Sequence, residues 1–387
     1  MPEDHPWAPD SAHRQAADRW FLAHGLPAVL RPGRLVRRLW TRSAPALAGF
    51  AVLMANTVVV VLITGKHAID IDGQPTRGEW FVLLLLALVL PATGAVGWRV
   101  SRIASPRGRG AAAAAGVLVA VLGAVFGGPS SYVYTNLLIV AAAVAIMLAL
   151  TATGIGSILG WAAHITLAHL AEAGSLLLRA LPVLLLTFLV FFNSPVWLMA
   201  ATVSRPRLWL ALCFLGAIAA AFVVSVTIDR TRPMVDAAAP DARHLARLDG
   251  TPFAAMPDPA EIKPLRRVER VNVYFVLGVS QLAQILVVAV VTALLFFVLG
   301  LILLSPELLA AWTRNGPSDG QFLGMTIPVP EALIQVTLFL GALTFMYVSA
   351  RAVGDDTYRD HFTTPLIEDL RVTLSARNRY REAVPAR

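Results

Sequence analysis

The chain has 387 residues, 57% of them hydrophobic and 14% charged, with a mean hydropathy of +0.67. That leaves too little polar surface to coat water-soluble domains of this length, so a soluble globular protein is excluded and the chain belongs in a bilayer. The formal net charge of +8 lies in segments that flank apolar runs. It reads as topology and lipid contact, and no nucleic-acid partner is expected.

Residues 1–45 hold seven arginines and no apolar run of signal-peptide length, so no cleaved leader is expected. Arg34, Arg38 and Arg42 recur at i, i+4 and i+8, with Leu35, Val36, Leu39 and Trp40 on the other side. The pattern predicts a helix lying on the anionic inner leaflet, with the arginines as a lipid-facing basic stripe.

A spanning helix needs about 20 mainly apolar residues. Eight segments qualify: Ala46 to Thr64, Trp80 to Trp98, Ala111 to Phe126, Tyr132 to Thr151, Leu181 to Ala201, Leu208 to Ile228, Val276 to Leu304 and Ala332 to Ala350. The expected fold is therefore all-α, a polytopic transmembrane helical bundle of about eight spans, within a range of 7 to 9. With both termini cytoplasmic, 27 of the 32 basic residues fall inside, as the positive-inside rule requires. In the third span Gly116/Ala120 and Gly123/Gly127 form small-xxx-small pairs that allow close helix approach, within the bundle or between copies.

Between the fourth and fifth spans, 154–179 carries Ser157, Gly160, His164, Glu172, Ser175 and Arg179 on one side and an apolar face opposite. An interfacial amphipathic helix is expected. His164, His169 and Glu172 are the weak metal candidates in the sequence, and their spacing suits a solvated polar face better than one ion. Cys213, the single cysteine, sits in an apolar run, so it forms no intrachain disulfide and reads as a small core hydrophobe.

The composition divides the chain into a basic amphipathic segment at 1–45, a transmembrane bundle at 46–228, a Pro/Ala/Asp/Arg-rich cytoplasmic linker at 229–264, a two-helix membrane segment at 265–350 and an amphipathic C-terminal helix at 351–387. From Val271 to Leu304 the seventh run is about 50 Å long as a helix. It should tilt or project into the cytoplasm. In the tail, Thr364 and Pro365 start a helix whose stripe of Leu366, Ile367, Leu370 and Leu374 must be covered. Its own bundle is the first choice of cover, with another protein or a second copy as the alternative partner.

No span has a charged residue near its centre, which counts against a carrier built on a buried carboxylate. The neutral polar residues Asn56, Asn136, Asn193, Gln281, Gln284 and Gln335 define a candidate polar path, although interhelical hydrogen bonding is the plainer account of each. Pro195, just after Asn193 and Ser194, is expected to kink the fifth span. Asp70, Asp72 and Glu79 in the first outer loop are the carboxylates that an outer-face enzyme would use, and an ordinary solvated turn is the simpler reading. There is no phosphate-binding Gly-rich loop, nucleophile elbow or CxxC pair, so no cofactor is expected and no catalytic residue is assigned.

The stretch Arg19-Trp-Phe-Leu-Ala-His-Gly-Leu-Pro27, with Tyr358-Arg-Asp-His-Phe and Ala376-Arg-Asn-Arg-Tyr380 near the other end, resembles uncharacterised actinobacterial multi-pass integral membrane proteins. The resemblance covers the terminal segments only and implies a plasma-membrane location, with no activity or site attached. The sequence thus points first to a non-enzymatic transport or envelope-assembly component. A membrane enzyme acting on a lipid-linked substrate and a pore-forming channel are the alternatives.

Overall fold

A computed structural model describes residues 11–30, 32–36, 38–65, 75–128, 132–168, 187–236, 245–259, 264–314, 320–322, 325–354 and 364–383. The helices are α1 (Ser11–Ala23), α2 (Pro32–Val36), α3 (Leu39–Thr64), α4 (Arg77–Ser101), α5 (Pro106–Phe126), α6 (Val133–Thr153), α7 (Ile155–Ala168), α8 (Ser194–Thr202), α9 (Arg205–Asp236), α10 (Arg267–Leu303), α11 (Pro306–Thr313), α12 (Glu331–Gly354) and α13 (Thr364–Ala383). A short antiparallel hairpin, β1 (Gly320–Phe322) and β2 (Met325–Ile327), pairs Gln321 with Thr326. The fold is an all-α polytopic bundle, and seven of the described helices (α3, α4, α5, α6, α9, α10 and α12) are long and apolar enough to cross a membrane.

Two groups of helices share the chain. In the first, α3 packs against α4 and α5, and α6 closes the group. Glycine sets the spacing: a Cβ at Gly116 would lie 2.9 Å from the Leu47 carbonyl oxygen, and one at Gly123 would lie 2.6 Å from the Met54 Cβ. Gly127 abuts Val58 in the same way. The small-xxx-small residues are thus used within the chain, holding α3 and α5 parallel and close. The outward faces are apolar: Leu84, Leu88, Leu90, Leu118 and Leu138 are all exposed, as a lipid-facing surface requires.

The second group is built on α9, α10 and α12, with α8 and α11 at the end away from the termini. There Phe191, Trp197, Phe296, Leu309, Leu333 and Val336 form a buried cluster. The fifth expected span differs from a kinked helix. A helical turn ends at Phe192, Asn193 is extended, and α8 starts afresh with Pro195 in its first turn, where a missing N–H costs nothing. Trp197 Nε1 donates to the Phe191 carbonyl at 2.5 Å across the break. Cys213 also differs from expectation, since it is exposed on α9 and not in a core.

Both groups stand on one base. Ala17, Phe21, Leu26 and Leu30 from the N-terminal region join Ile165 of α7, Leu248, Phe253 and Met256, Val273 and Leu277 of α10, and Leu366, Leu370, Leu374 and Tyr380 of α13 in a single core. The region read as a linker at 229–264 is therefore divided. Through Asp236 it prolongs α9, and 245–256 folds into turns that bury three large side chains. At 37 residues α10 is about 55 Å long, and its first turns belong to the base. α7 runs along that base, with Trp161 against Gly25 and Ile165 in the core.

Ion pairs lock the base. Glu269, 2% exposed, accepts from Arg377 at 2.8 Å and lies 2.6 Å from Arg381. Burial pulls the Arg381 guanidinium below its ordinary pKa, and the Glu269 charge opposes that shift. Arg379 reaches Asp258, the Tyr380 hydroxyl donates to Asp18, and Asn272 bonds both the Gly25 carbonyl and the Ala28 N–H. The C-terminal helix is thus covered by its own chain.

Removing one member of a buried pair strands the other charge, at a cost of about 3–5 kcal/mol. Glu269→Gln is expected to lower the thermal midpoint of the detergent-solubilised protein sharply. Glu269→Leu combined with Arg377→Met should recover most of that loss, and thermal unfolding of the two variants checks it.

Candidate functional site

The inward face of α10 repeats every four residues: Ser280, Gln284, Val288, Thr292, Phe296 and Gly300 are all buried. Such a row lies along one side of a helix and meets a matching row on a neighbour. α12 supplies that row with Leu333, Val336, Leu340 and Thr344. The two helices run antiparallel: Gly300 admits the Leu333 side chain, and Gly341 faces Ala293 and the Ala289 carbonyl. α9 lies against both, and at Gly278 it brings Val224 into contact with α10.

Polar atoms are threaded through this apolar seam. Gln284 Oε1 and Thr292 Oγ1 on α10, and Gln335 Oε1, Thr344 Oγ1 and Ser349 Oγ on α12, are buried and find no hydrogen-bond partner among the described residues. Most buried threonines here bond back to a carbonyl one turn earlier, as Thr227 does to Val223 and Thr337 to Leu333. Thr292 and Thr344 do not. On α12, Thr344 shares the α10-facing row, whereas Gln335 and Ser349, 14 residues and about 21 Å apart, lie on the side that carries Glu331 and meets Arg205 of α9. An unsatisfied buried group costs about 1–3 kcal/mol. Chemically the row offers neutral donors and acceptors, suited to water or to an uncharged polar solute.

Each end of the row is tied down. Toward the base, Thr227 of α9 donates to Gln281 Oε1 at 2.6 Å, and Thr231 donates to the Thr227 carbonyl. At the opposite end, Arg205 grips Glu331 through two bonds of 2.6 Å, and Glu331 Oε1 accepts from Gln335 Nε2 at 2.9 Å. That end of the row is therefore the charged one, and it joins the starts of α9 and α12.

The sequence-derived polar path is split by the fold. Gln281, Gln284 and Gln335 belong to this seam. Asn136 is buried in the first helix group beside Gly128, Asn56 is half-buried on α3, and Asn193 is exposed in the extended break before α8. Thr292, Thr344 and Ser349 escaped sequence reading because single hydroxyls in helices are common and usually bond to their own backbone. Arg205 and Glu331 escaped it because they lie 126 residues apart.

Other candidates fare differently. Glu79 closes a capping box: its carboxylate accepts from the Thr76 N–H and hydroxyl at 2.7 and 2.8 Å, so it serves as a helix start. Asp70 and Asp72 lie outside the described residues, as do His169 and Glu172. His164 is exposed on α7, and among the described residues no group of three His, Cys, Asp or Glu could hold a metal.

The basic stripe is also rearranged. Arg38 takes a left-handed conformation (φ 60°) that separates α2 from α3 and breaks the continuous helix on which the spacing of Arg34, Arg38 and Arg42 depends. Arg42 turns back to the Leu35 carbonyl, Arg38 is exposed, and the Arg34 side chain lies outside the described residues.

No protein-family model, curated protein or solved structure matches the chain. The resemblance of the terminal segments to actinobacterial membrane proteins gains no support from those comparisons.

Glu331→Ala removes the acceptor of both Arg205 and the Gln335 amide. With Arg205 partly exposed and able to rehydrate, the expected destabilisation is modest, about 1–2 kcal/mol. Thermal unfolding of Glu331→Ala and Glu331→Asp in detergent measures it, with the aspartate variant losing less.

Proposed function

We propose that the protein is a plasma-membrane transport component, with both termini cytoplasmic, whose α10–α12 seam conducts small uncharged polar solutes. The buried neutral oxygens of Gln284, Thr292 and Thr344 in that seam, with Gln335 and Ser349 on the α9 side of α12, find no partner among the described residues and carry this reading. A bundle that needed only stability would gain by replacing each with an apolar group of similar shape, because burying a polar group without a partner is unfavourable. Polar groups at membrane depth that face a bundle interior and lack a structural partner are a mark of a solute pathway. The absence of charge along the row favours a neutral solute over a proton or metal ion.

The orientation rests on the excess of arginine at the base. Positive loops stay in the cytoplasm; the base carries both terminal segments with residues 245–259 and 264–270, and the start of α5 is tied to the start of α3 through Trp40 and Gly110. An outer-face enzyme draws less support, since Glu79 is occupied as a helix cap.

The test uses Thr292→Val, Thr344→Val and Ser349→Ala in proteoliposomes, read by osmotic swelling in a series of neutral polyols. If the hydroxyls serve passage, thermal stability stays level or rises, while swelling falls by about tenfold, the equivalent of roughly 1.4 kcal/mol. Unchanged swelling in all three variants, or a wild-type protein that admits no polyol above protein-free vesicles, would overturn the reading.

A further inference from the structure

The ends of the two helix groups at the base differ in how their arginines are neutralised. Beneath the second group, cations meet carboxylates: Arg377 and Arg381 meet Glu269, Arg379 meets Asp258, and Arg247 meets Asp369. Beneath the first group nothing comparable is found among the described residues. Residues 31–46 contain five arginines and 98–112 contain four, with no aspartate or glutamate in either stretch. The helices α3, α5 and α6 carry no acidic residue at all, and the sole carboxylate of α4, Glu79, sits at its far end.

The fold draws these two stretches together. The Trp40 indole donates to the Gly110 carbonyl at 3.1 Å, which ties the start of α3 to the start of α5, and Gly97 of α4 packs on the Pro45 carbonyl. Arg109 is used internally, holding the Ile103 and Ser101 carbonyls of the α4–α5 turn. Arg38, Arg99, Arg102 and Arg107 are exposed and make no ion pair among the described residues. Arg102 lies 3.9 Å over the Trp98 ring, an arrangement that pre-orders the guanidinium while leaving its donors free.

The surface above the cations is apolar. On α4, Leu84, Leu88 and Trp98 are exposed on the side that carries Arg99 and Arg102, so one outward strip passes from aliphatic side chains through an indole to the two arginines. Trp40 is likewise 40% exposed beside Arg38. Tryptophan at this level marks the boundary between acyl chains and headgroups. The strip is therefore complementary to a molecule with an apolar tail and an anionic head at a fixed distance. A positive-inside signal alone would call for basic residues. It would leave unexplained why carboxylates compensate them under one helix group and not under the other.

We propose that the base of α3, α4 and α5 is a binding site for the phosphate headgroup of an anionic phospholipid, with Arg99, Arg102 and Arg107 as its cationic ligands, Arg38 beside them, and the exposed face of α4 as the bed for its acyl chains. The site is separate from the α10–α12 seam and stands whether or not that seam conducts solutes.

The experiment uses the full chain in nanodiscs and in detergent, with thermal midpoint and native mass spectrometry as readouts. Phosphatidylglycerol should raise the midpoint and remain bound to the released protein, whereas phosphatidylcholine should do neither. Arg99→Gln, Arg102→Gln and Arg107→Gln, singly and together, test the ligands, and Arg207→Gln at the far end of the molecule is the control. Each arginine near an anionic surface contributes about fivefold, so the triple variant should bind phosphatidylglycerol on the order of a hundredfold more weakly. The single variants give the same direction should the triple variant fold poorly. Inorganic phosphate distinguishes a lipid from a free anion: an equal rise in midpoint with phosphate alone would overturn the lipid assignment. So would phosphatidylglycerol binding that the arginine variants leave intact, or that Arg207→Gln weakens as much as they do.

Discussion

Glu269 sits where α10 leaves the membrane bundle for the base, almost wholly removed from solvent, and its charge is neutralised by two arginines from the far end of the chain. An unpaired carboxylate there would cost several kcal/mol, so the base can form only with α13 in place. Around that pairing the aromatic side chains of Phe21, Phe253 and Tyr380 close in edge-to-face and tilted contacts. The most polar helix of the chain is thereby made a central element. Arg377 and Arg379, two residues apart and so on opposite sides of α13, each meet a carboxylate, Glu269 on one side and Asp258 on the other.

This base governs the membrane topology. Because the N-terminal and C-terminal helices share one core, the chain must cross the bilayer an even number of times. Seven of the described helices are long and apolar enough to cross a membrane. At the end opposite the base, the broken helix around Asn193 joins the aromatic cluster of Trp197 and Phe296. The same logic explains the length of α10. A helix that has to traverse the membrane and also present Glu269 and Asn272 to the base needs both functions in one rod.

What the sequence made legible was what composition and period encode: apolar runs of membrane length, the excess of arginine on one side, and the small residues of α5 that meet α3. The amphipathic tail was also readable, since Leu366, Leu370 and Leu374 demanded a cover. The identity of the cover was not, because Glu269, Asp258 and Phe253 lie at least 97 residues before the stripe and carry no local signal. Nor could 245–256 be recognised as part of a core, since three buried side chains in irregular turns have no helical or strand period. In the candidate seam the glutamines stood out by residue type. Thr292, Thr344 and Ser349 matter through what they fail to bond, and that is a property of the folded neighbourhood alone.

The two helix groups follow different physical rules. α3 and α5 approach through glycine and bury almost no polar side chain, so their association relies on close backbone contact and leaves nothing for a solute to recognise. α10 and α12 meet through larger side chains and hold five buried oxygens that find no partner among the described residues, a state less stable than an apolar seam would be. Such an arrangement persists only where the surroundings over-determine it. Here they do so from both ends: the Arg205–Glu331–Gln335 bonds fix α9 to α12 at one end, and at the other Thr227 fixes α9 to α10 above the ion-paired base. With the ends held, the middle of the seam can carry polar groups that packing alone would reject. The proposed pathway is placed in the part of the molecule that is strongly clamped at its ends and weakly satisfied between them.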